Sequence, residues 1–305
     1  MTITRRTAVQ LGAAATAALL VSPLRAAEEK LHVRQIPSSG EWLPVVGIGT
    51  ARRFDVATAE EREPLLQVLF ELPRLGGRLV DTAPSYGMSE AVVGSLVARL
   101  GNRKELFLAT KVGAGRSGVD AGIAEMKQSF LRLQTDRIDL MQIHNLNGVD
   151  EMLPVLRKWK DEGRIRYLGI STSNAQQYAQ LETIMKREPL DFIQVDYALD
   201  NRAAGERILP LAQDRKIAVL TNLPFGRGRV LQAFKDRPIP AWAAKLGITS
   251  WAQFALKYVV SHPAVTSAIP GTARLAYLRD NLGAARGPMP DAKTRTKMVE
   301  LLQSA

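Results

Sequence analysis

Short apolar runs that end near a polar residue recur along this chain, separated by stretches with helical spacing, and this alternation limits the fold more than any other feature. The runs cover 45–49, 78–81, 106–111, 138–143, 167–170, 192–195, 217–220 and 265–269. Each is too short for an independent helix and is bounded by turn signals, as expected of strands buried on both faces of a parallel sheet. Between them, 63–75 places Leu65, Leu66, Leu69 and Leu72 on one helical face, and 89–100, 121–133, 151–162 and 175–186 read the same way. Eight strands with crossover helices and no Pro/Gly-rich divider predict an α/β fold: one (β/α)8 barrel of the TIM type, a single domain over 28–305. Residues 32–41 would cap the bottom of the barrel, and 241–262 would form a helical insertion between strands seven and eight.

In such a barrel the chemistry gathers at the C-terminal ends of the strands. Asp81 ends the second run, Tyr86 follows it, Lys111 ends the third and His144 follows the fourth. Taken singly, each has an ordinary explanation: a turn cap, a groove filler, a solvated strand end and a hydrogen-bonded core histidine. Joint placement on one rim gives them a chemistry. A phenol with a pKa near 10 donates its proton poorly at neutral pH, and an adjacent ammonium lowers that pKa by roughly 1 to 3 units. Lys111 supplies the ammonium, Asp81 keeps it charged, Tyr86 becomes a usable acid, and His144 is left to orient a substrate oxygen.

Composition removes several other classes. The 305 residues are 46% hydrophobic, enough for a large core, and the absence of Cys excludes disulfide and thiolate chemistry. The formal net charge of +11 invites a nucleic-acid reading. However, Lys and Arg are interleaved with acids, as in Lys158-Trp159-Lys160-Asp161-Glu162, and form no long basic block, so a solvated surface is expected. Residues 1–27 hold the paired Arg5-Arg6, an Ala/Leu-rich stretch and a small-residue end at Ala26-Ala27. That pattern predicts an export signal that uses the twin-arginine machinery and delivers a periplasmic or otherwise exported protein, and the stretch is too short and too interrupted for a stable membrane span. The four tryptophans are expected to pack rather than to face substrate.

One motif competes with the barrel. Gly113-Ala114-Gly115-Arg116-Ser117-Gly118 fits the dinucleotide fingerprint, with Asp136 and Asp139 roughly 20 residues on. It follows the third strand instead of opening a six-strand unit, so it reads as a βα loop at the barrel mouth.

The segment Asp81-Thr-Ala-Pro-Ser-Tyr86-Gly-Met-Ser-Glu90, the strand Ala109-Thr-Lys111 and the strand Leu140-Met-Gln-Ile-His144 resemble the aldo-keto reductase family, and the likeness runs from about Leu43 to Asn281. The resemblance implies hydride transfer between a nicotinamide cofactor and a carbonyl or alcohol. Tyr86 would carry the proton, Lys111 and Asp81 would tune it, and His144 would orient the substrate. Gly49 and Thr50, with Asp81, resemble the segments beside the nicotinamide. Ser171, Thr172 and Gln194 resemble the groups that grip its carboxamide, although the family often has Asn where Thr172 stands.

Asn222, Pro224, Phe225, Gly226, Arg227 and Gly228 resemble the loop over the pyrophosphate, with Asn222 in the place of the family's usual stacked aromatic. Gly271, Thr272, Arg274, Asp280 and Asn281 resemble the adenosine-phosphate site. There Gly271 replaces a common Lys and Tyr277 a common Arg, which leaves Arg274 to meet a 2′-phosphate. The implied cofactor is NADPH, with NADH possible, and the substrate an aldehyde, ketone or sugar-like carbonyl. Its selection would fall to loops 52–56, 113–118 and 146–149. The alternative is a cofactor-binding redox sensor or accessory subunit with little turnover.

Overall fold

A computed structural model describes residues 30–304; the expected export segment lies outside them. A hairpin of β1 (Val33–Gln35) and β2 (Trp42–Pro44) comes first, followed by β3 (Ile48–Gly49), α1 (Ala59–Arg74), β4 (Leu79–Asp81), α2 (Ser89–Leu100), β5 (Phe107–Val112) and α3 (Gly118–Leu133). Next come β6 (Ile138–Ile143), α4 (Val149–Asp161), β7 (Ile165–Ser171), α5 (Tyr178–Arg187), β8 (Phe192–Asp196), α6 (Ile208–Asp214) and β9 (Ala218–Asn222). The chain ends with α7 (Arg229–Ala233), α8 (Ala241–Ala244), α9 (Trp251–Val260), β10 (Ser267–Ala268), α10 (Leu275–Gly283) and α11 (Ala292–Gln303).

Strands β3 to β10 pair in parallel in sequence order. The sheet then meets itself: bridges join Val46 to Ala268 and Gly49 to Gly271. Backbone N–H groups of Gly47 and Gly49 donate to the carbonyls of Ala268 and Pro270 at 2.9 Å. The predicted (β/α)8 barrel is therefore the fold, and the glycine-rich 113–118 segment lies in a βα loop after its third strand.

Inside the barrel the side chains change character with height. Leu79, Phe107, Ala109, Leu140, Tyr167, Phe192, Ala218 and Leu220 fill its lower part together with Ile36 and Leu43 of the hairpin region. Because alternate residues of a strand face inward, two steps further along come Asp81, Lys111, Gln142, Gln194 and Asn222. Register puts Lys111 beside Gln142 and Ser171 beside Gln194. Phe107, Tyr167 and Phe192 form the packed floor, with ring centroids 5.5 to 6.0 Å apart. Below it, Tyr167 donates to Glu41 at 2.8 Å and pairs with Ser39 at 2.7 Å, which ties down the hairpin turn as the expected bottom cap.

The structure corrects three sequence expectations. Helix α1 begins at Ala59, before the apolar stripe, because Thr58 and Glu61 form a reciprocal capping box. Helix α9, taken for an insertion, is the crossover of its unit: Gln253 to Val260 are all buried. Of the tryptophans, Trp159 is buried and Trp242 and Trp251 pack on the core, but Trp42 is 54% exposed at the hairpin.

Helices α2 and α3 touch at Gly94, where a Cβ would lie 2.1 Å from the carbonyl oxygen of Arg132. Ala gains about 1 kcal/mol over Gly in a helix interior, but a backbone clash of this kind costs about 1–3 kcal/mol. Gly94→Ala should therefore lower the stability measured by urea unfolding; a gain in stability would show that the two helices separate freely.

Candidate active site

The barrel mouth holds a buried ion pair with amide supports. Lys111 Nζ lies 2.6 Å from Asp81 Oδ2 and donates to the Thr82 carbonyl at 2.9 Å, and the Lys111 side chain is 1% exposed. Asp81 Oδ1 accepts from Gln194 Nε2 at 2.8 Å and from Gln142 Nε2 at 3.2 Å. The carboxylate thus has a charged donor on one oxygen and two neutral donors on the other, which offsets much of the cost of burying it. Two of the three ammonium donors are used in this way; the third is left for the mouth.

Tyr86 stands there. Its loop turns with Tyr86 N donating to Ala83 O at 3.1 Å, and Gly87 follows at φ +59°, in the left-handed region that suits glycine. A Cβ on Gly87 would lie 2.2 Å from the Asp55 carboxylate, which accepts the Met88 N–H at 2.9 Å and locks the turn. Lys111 Nζ sits 5.0 Å from the centroid of the Tyr86 ring. Burial pulls the Lys111 pKa down, but Asp81 and Tyr86 more than compensate, so it lies above the ordinary lysine value and the amine stays charged. A fixed positive charge beside a phenol favours the phenolate and makes the phenol a better acid.

His144 meets Tyr86 edge to face, with centroids 5.9 Å apart, and its Nδ1 is 3.4 Å from Ser85 Oγ. Burial first, and then Lys111, hold its imidazole down to about 4, against a weaker opposing pull from Asp81. The ring is therefore neutral at physiological pH, and a neutral imidazole carries one N–H that can donate to a substrate oxygen. The chain leaves His144 through two left-handed residues, Asn145 at φ +53° and Leu146 at φ +55°. Such backbone costs on the order of 1–3 kcal/mol per residue. It is held by the buried Leu146, by Ser171 Oγ accepting from Asn145 N at 3.4 Å, and by Gln177 donating to Asn145 O at 3.0 Å.

A pocket of about 330 Å³ opens beside these groups, lined by Pro84, Ser85, Lys111, Val112, Gly113, Glu125, His144, Asn145 and Asn147. All four residues expected to be catalytic thus meet at one mouth.

The expected cofactor residues ring the same end. Thr172 follows β7, and its carbonyl accepts from Asn222 Nδ2 at 3.2 Å; the same amide reaches Gln194 Oε1 at 3.4 Å. The hydroxyl oxygens of Thr50 and Thr82 and Oδ1 of Asn222 are buried with no protein partner. These orphaned groups suit a ligand with amide and hydroxyl groups, such as a nicotinamide nucleotide.

The loop of Pro224, Phe225, Gly226, Arg227 and Gly228 is pinned where Gly226, at φ +56°, leaves room for the Asp200 carboxylate 2.2 Å from where a Cβ would be. Arg227 points to an exposed surface, and Arg229 clasps Asp200 at 2.7 Å. Thr272 is buried and bound to Asn281 Nδ2 at 3.0 Å, with Gly271 and Arg274 exposed beside it. Asp280 is instead tied to α9, accepting from Ser250 at 2.8 Å and from Gln253 at 2.9 Å.

Sequence reasoning missed Gln142, Ser85 and Glu125. Gln142 lies inside an apolar run, and its only signal was period-two alternation with Leu140. Glu125 comes from α3, where charge ordinarily marks a solvated face; burial raises its carboxyl above the usual range.

Residues 45–296 match the aldo/keto reductase family. Methylglyoxal reductase YeaE of Escherichia coli K12 is 30% identical over 257 residues, which cover 82% of this chain and 89% of that protein. Aldo-keto reductase YhdN of Bacillus subtilis is 36% identical over 169 residues, so the chain spans about half (49%) of that relative. An aldo/keto reductase from Klebsiella pneumoniae, solved with NADP and acetate, superposes with a TM-score of 0.76 at 26% identity, covering 90% of this chain and 95% of that one.

A histidine depressed from 6.5 to about 4 couples stability to pH. Between those values the unfolded chain holds the proton and the folded one does not, so the contribution is complete above 6.5 and is lost as pH falls toward 4. The urea midpoint should drop over that window. His144→Asn should make the drop shallower, while His262, held at about 4 by burial and by Arg295 and Arg34, supplies a separate share. An unaltered slope in His144→Asn would show that this imidazole is not held neutral.

Proposed function

Because the chain belongs to the aldo/keto reductase family, we propose that the cluster at its barrel mouth carries out NADPH-dependent reduction of a carbonyl, with Tyr86 as the proton donor. The observation that carries this reading is the ammonium of Lys111, locked on Asp81 at 2.6 Å and set 5.0 Å from the Tyr86 ring. When bound, the nicotinamide supplies the hydride. Ser171, Thr172, Gln194 and Asn222 offer hydroxyl and amide groups to hold the carboxamide. Gly226, Arg227 and Gly228 would flank the pyrophosphate, and Gly271, Thr272 and Arg274 would flank the adenosine phosphate. The His144 N–H holds the carbonyl oxygen, and the Tyr86 hydroxyl passes its proton to that oxygen as negative charge develops there. Lys111 stabilises the resulting phenolate, and alcohol oxidation runs the same path in reverse.

The pocket wall selects the carbonyl. Ser85, Glu125, Asn145 and Asn147 offer polar groups, and among the described residues no Phe or Trp lines the cavity. Such a wall suits a short oxygenated aldehyde or ketone better than an aromatic one. Methylglyoxal, the substrate in the name of the YeaE relative, and glyceraldehyde have this character.

Single-turnover oxidation of protein-bound NADPH tests the reading. Methylglyoxal or glyceraldehyde should quench the reduced nucleotide faster than benzaldehyde does. Tyr86→Phe should slow transfer by about 10²- to 10⁴-fold while nucleotide affinity, read by fluorescence titration, stays near wild type. Tight NADPH binding without transfer to any carbonyl would replace the enzyme with a cofactor sensor.

Export is proposed on the sequence alone: the Arg5-Arg6 pair before an Ala/Leu stretch fits a twin-arginine signal. Arg5→Lys with Arg6→Lys should deplete the periplasmic fraction; an unchanged level in cell fractionation rejects that route.

A further inference from the structure

Arg53 lies across Gly271. A side chain started at Gly271 would meet Arg53 Cγ at 3.4 Å and Nε at 3.5 Å, so the arginine of the first βα loop fills the space in front of the eighth strand's loop. The local structure builds this placement. Phe54, fully buried, anchors the loop, and the N–H groups of Arg53 and Phe54 both donate to Thr50 O, at 2.8 and 3.0 Å. The next residue, Asp55, is fastened to Met88 N. The two loops are joined by the Gly49–Gly271 bridge and by Thr272 N donating to Gly49 O at 3.4 Å.

The charge balance of this notch is one-sided. Among the described residues neither Arg53 nor Arg274 has a carboxylate partner; Arg274 approaches the Tyr277 ring, at 5.9 Å. Helix α10 starts beside them, and its N-cap, Arg274, makes no side-chain capping bond, so the first-turn N–H groups add to the positive potential. A guanidinium suits a phosphate, which it can hold through two parallel hydrogen bonds.

We propose that Arg53 is the second phosphate-binding cation of the cofactor site and that, with Arg274, it holds the 2′-phosphate of NADPH. The inference rests on the cofactor reading given above. It also bears on the missing lysine: a Cβ at 271 would rest in van der Waals contact with the Arg53 arm, so the first loop brings a cation to the position where the eighth lacks one.

The test is a fluorescence titration of the full chain with NADPH and with NADH, for wild type, Arg53→Ala and the pair Arg53→Ala with Gly271→Lys. Arg53→Ala should raise the Kd for NADPH about tenfold, the ordinary worth of a charge-assisted hydrogen bond, and change that for NADH by less than about twofold. Gly271→Lys in the same chain should restore NADPH binding, because it returns a cation to the emptied volume. An NADPH Kd within about twofold of wild type, or equal weakening of both nucleotides, overturns the assignment while leaving the cofactor reading intact. Wild-type protein that binds neither nucleotide removes the cofactor reading, and this inference with it.

Discussion

The ion pair of Asp81 and Lys111 governs the site, because it is costly to place and because everything catalytic leans on it. Withdrawing two such charges from water costs several kcal/mol per ion, and a 2.6 Å contact recovers that only when the remaining lone pairs and protons are also satisfied. Here the Thr82 carbonyl and the amides of Gln142 and Gln194 satisfy them. An apolar pair of similar volume would stabilise the barrel as well or better. The charges are thus poorly explained by stability and well explained by their effect on Tyr86.

The pair and its amide supports come from four different strands, β4, β5, β6 and β8, so the pair gains all its partners only when the sheet curls round to bring β8 opposite β4. Side chains change from apolar to polar at one height because the strands share a register, with Lys111 beside Gln142 and Ser171 beside Gln194. The aromatic floor of Phe107, Tyr167 and Phe192 excludes water from below, and low dielectric there strengthens each interaction above it. Fold and chemistry therefore depend on the same closure.

Much of this was legible in the sequence, for a physical reason. A strand buried on both faces must be almost wholly apolar, so a run such as 138–143 declares its own ends, and the polar residue at its end declares the rim. Helix ends were less legible: α1 starts at a capping box that lies outside its apolar stripe, and α9 is apolar nearly all round because it is buried between α10 and the sheet. The glycines of 113–118 gave a dinucleotide pattern because a tight βα loop and a phosphate loop make the same backbone demands. Gln142 and Arg53 were hidden for opposite reasons. One is polar inside an apolar run, and the other is an exposed arginine whose meaning depends on a glycine over two hundred residues away.

Asn222 shows how a single exchange redistributes work within the site. Where the resemblance leads one to expect an aromatic ring, its amide instead bridges the Thr172 carbonyl and Gln194 Oε1, and Gln194 in turn grips Asp81. A ring would contribute stacking area against the nicotinamide but could not orient Gln194. The amide trades that contact for a brace that reaches the ion pair through one intervening side chain, while Oδ1 remains buried and open to a donor.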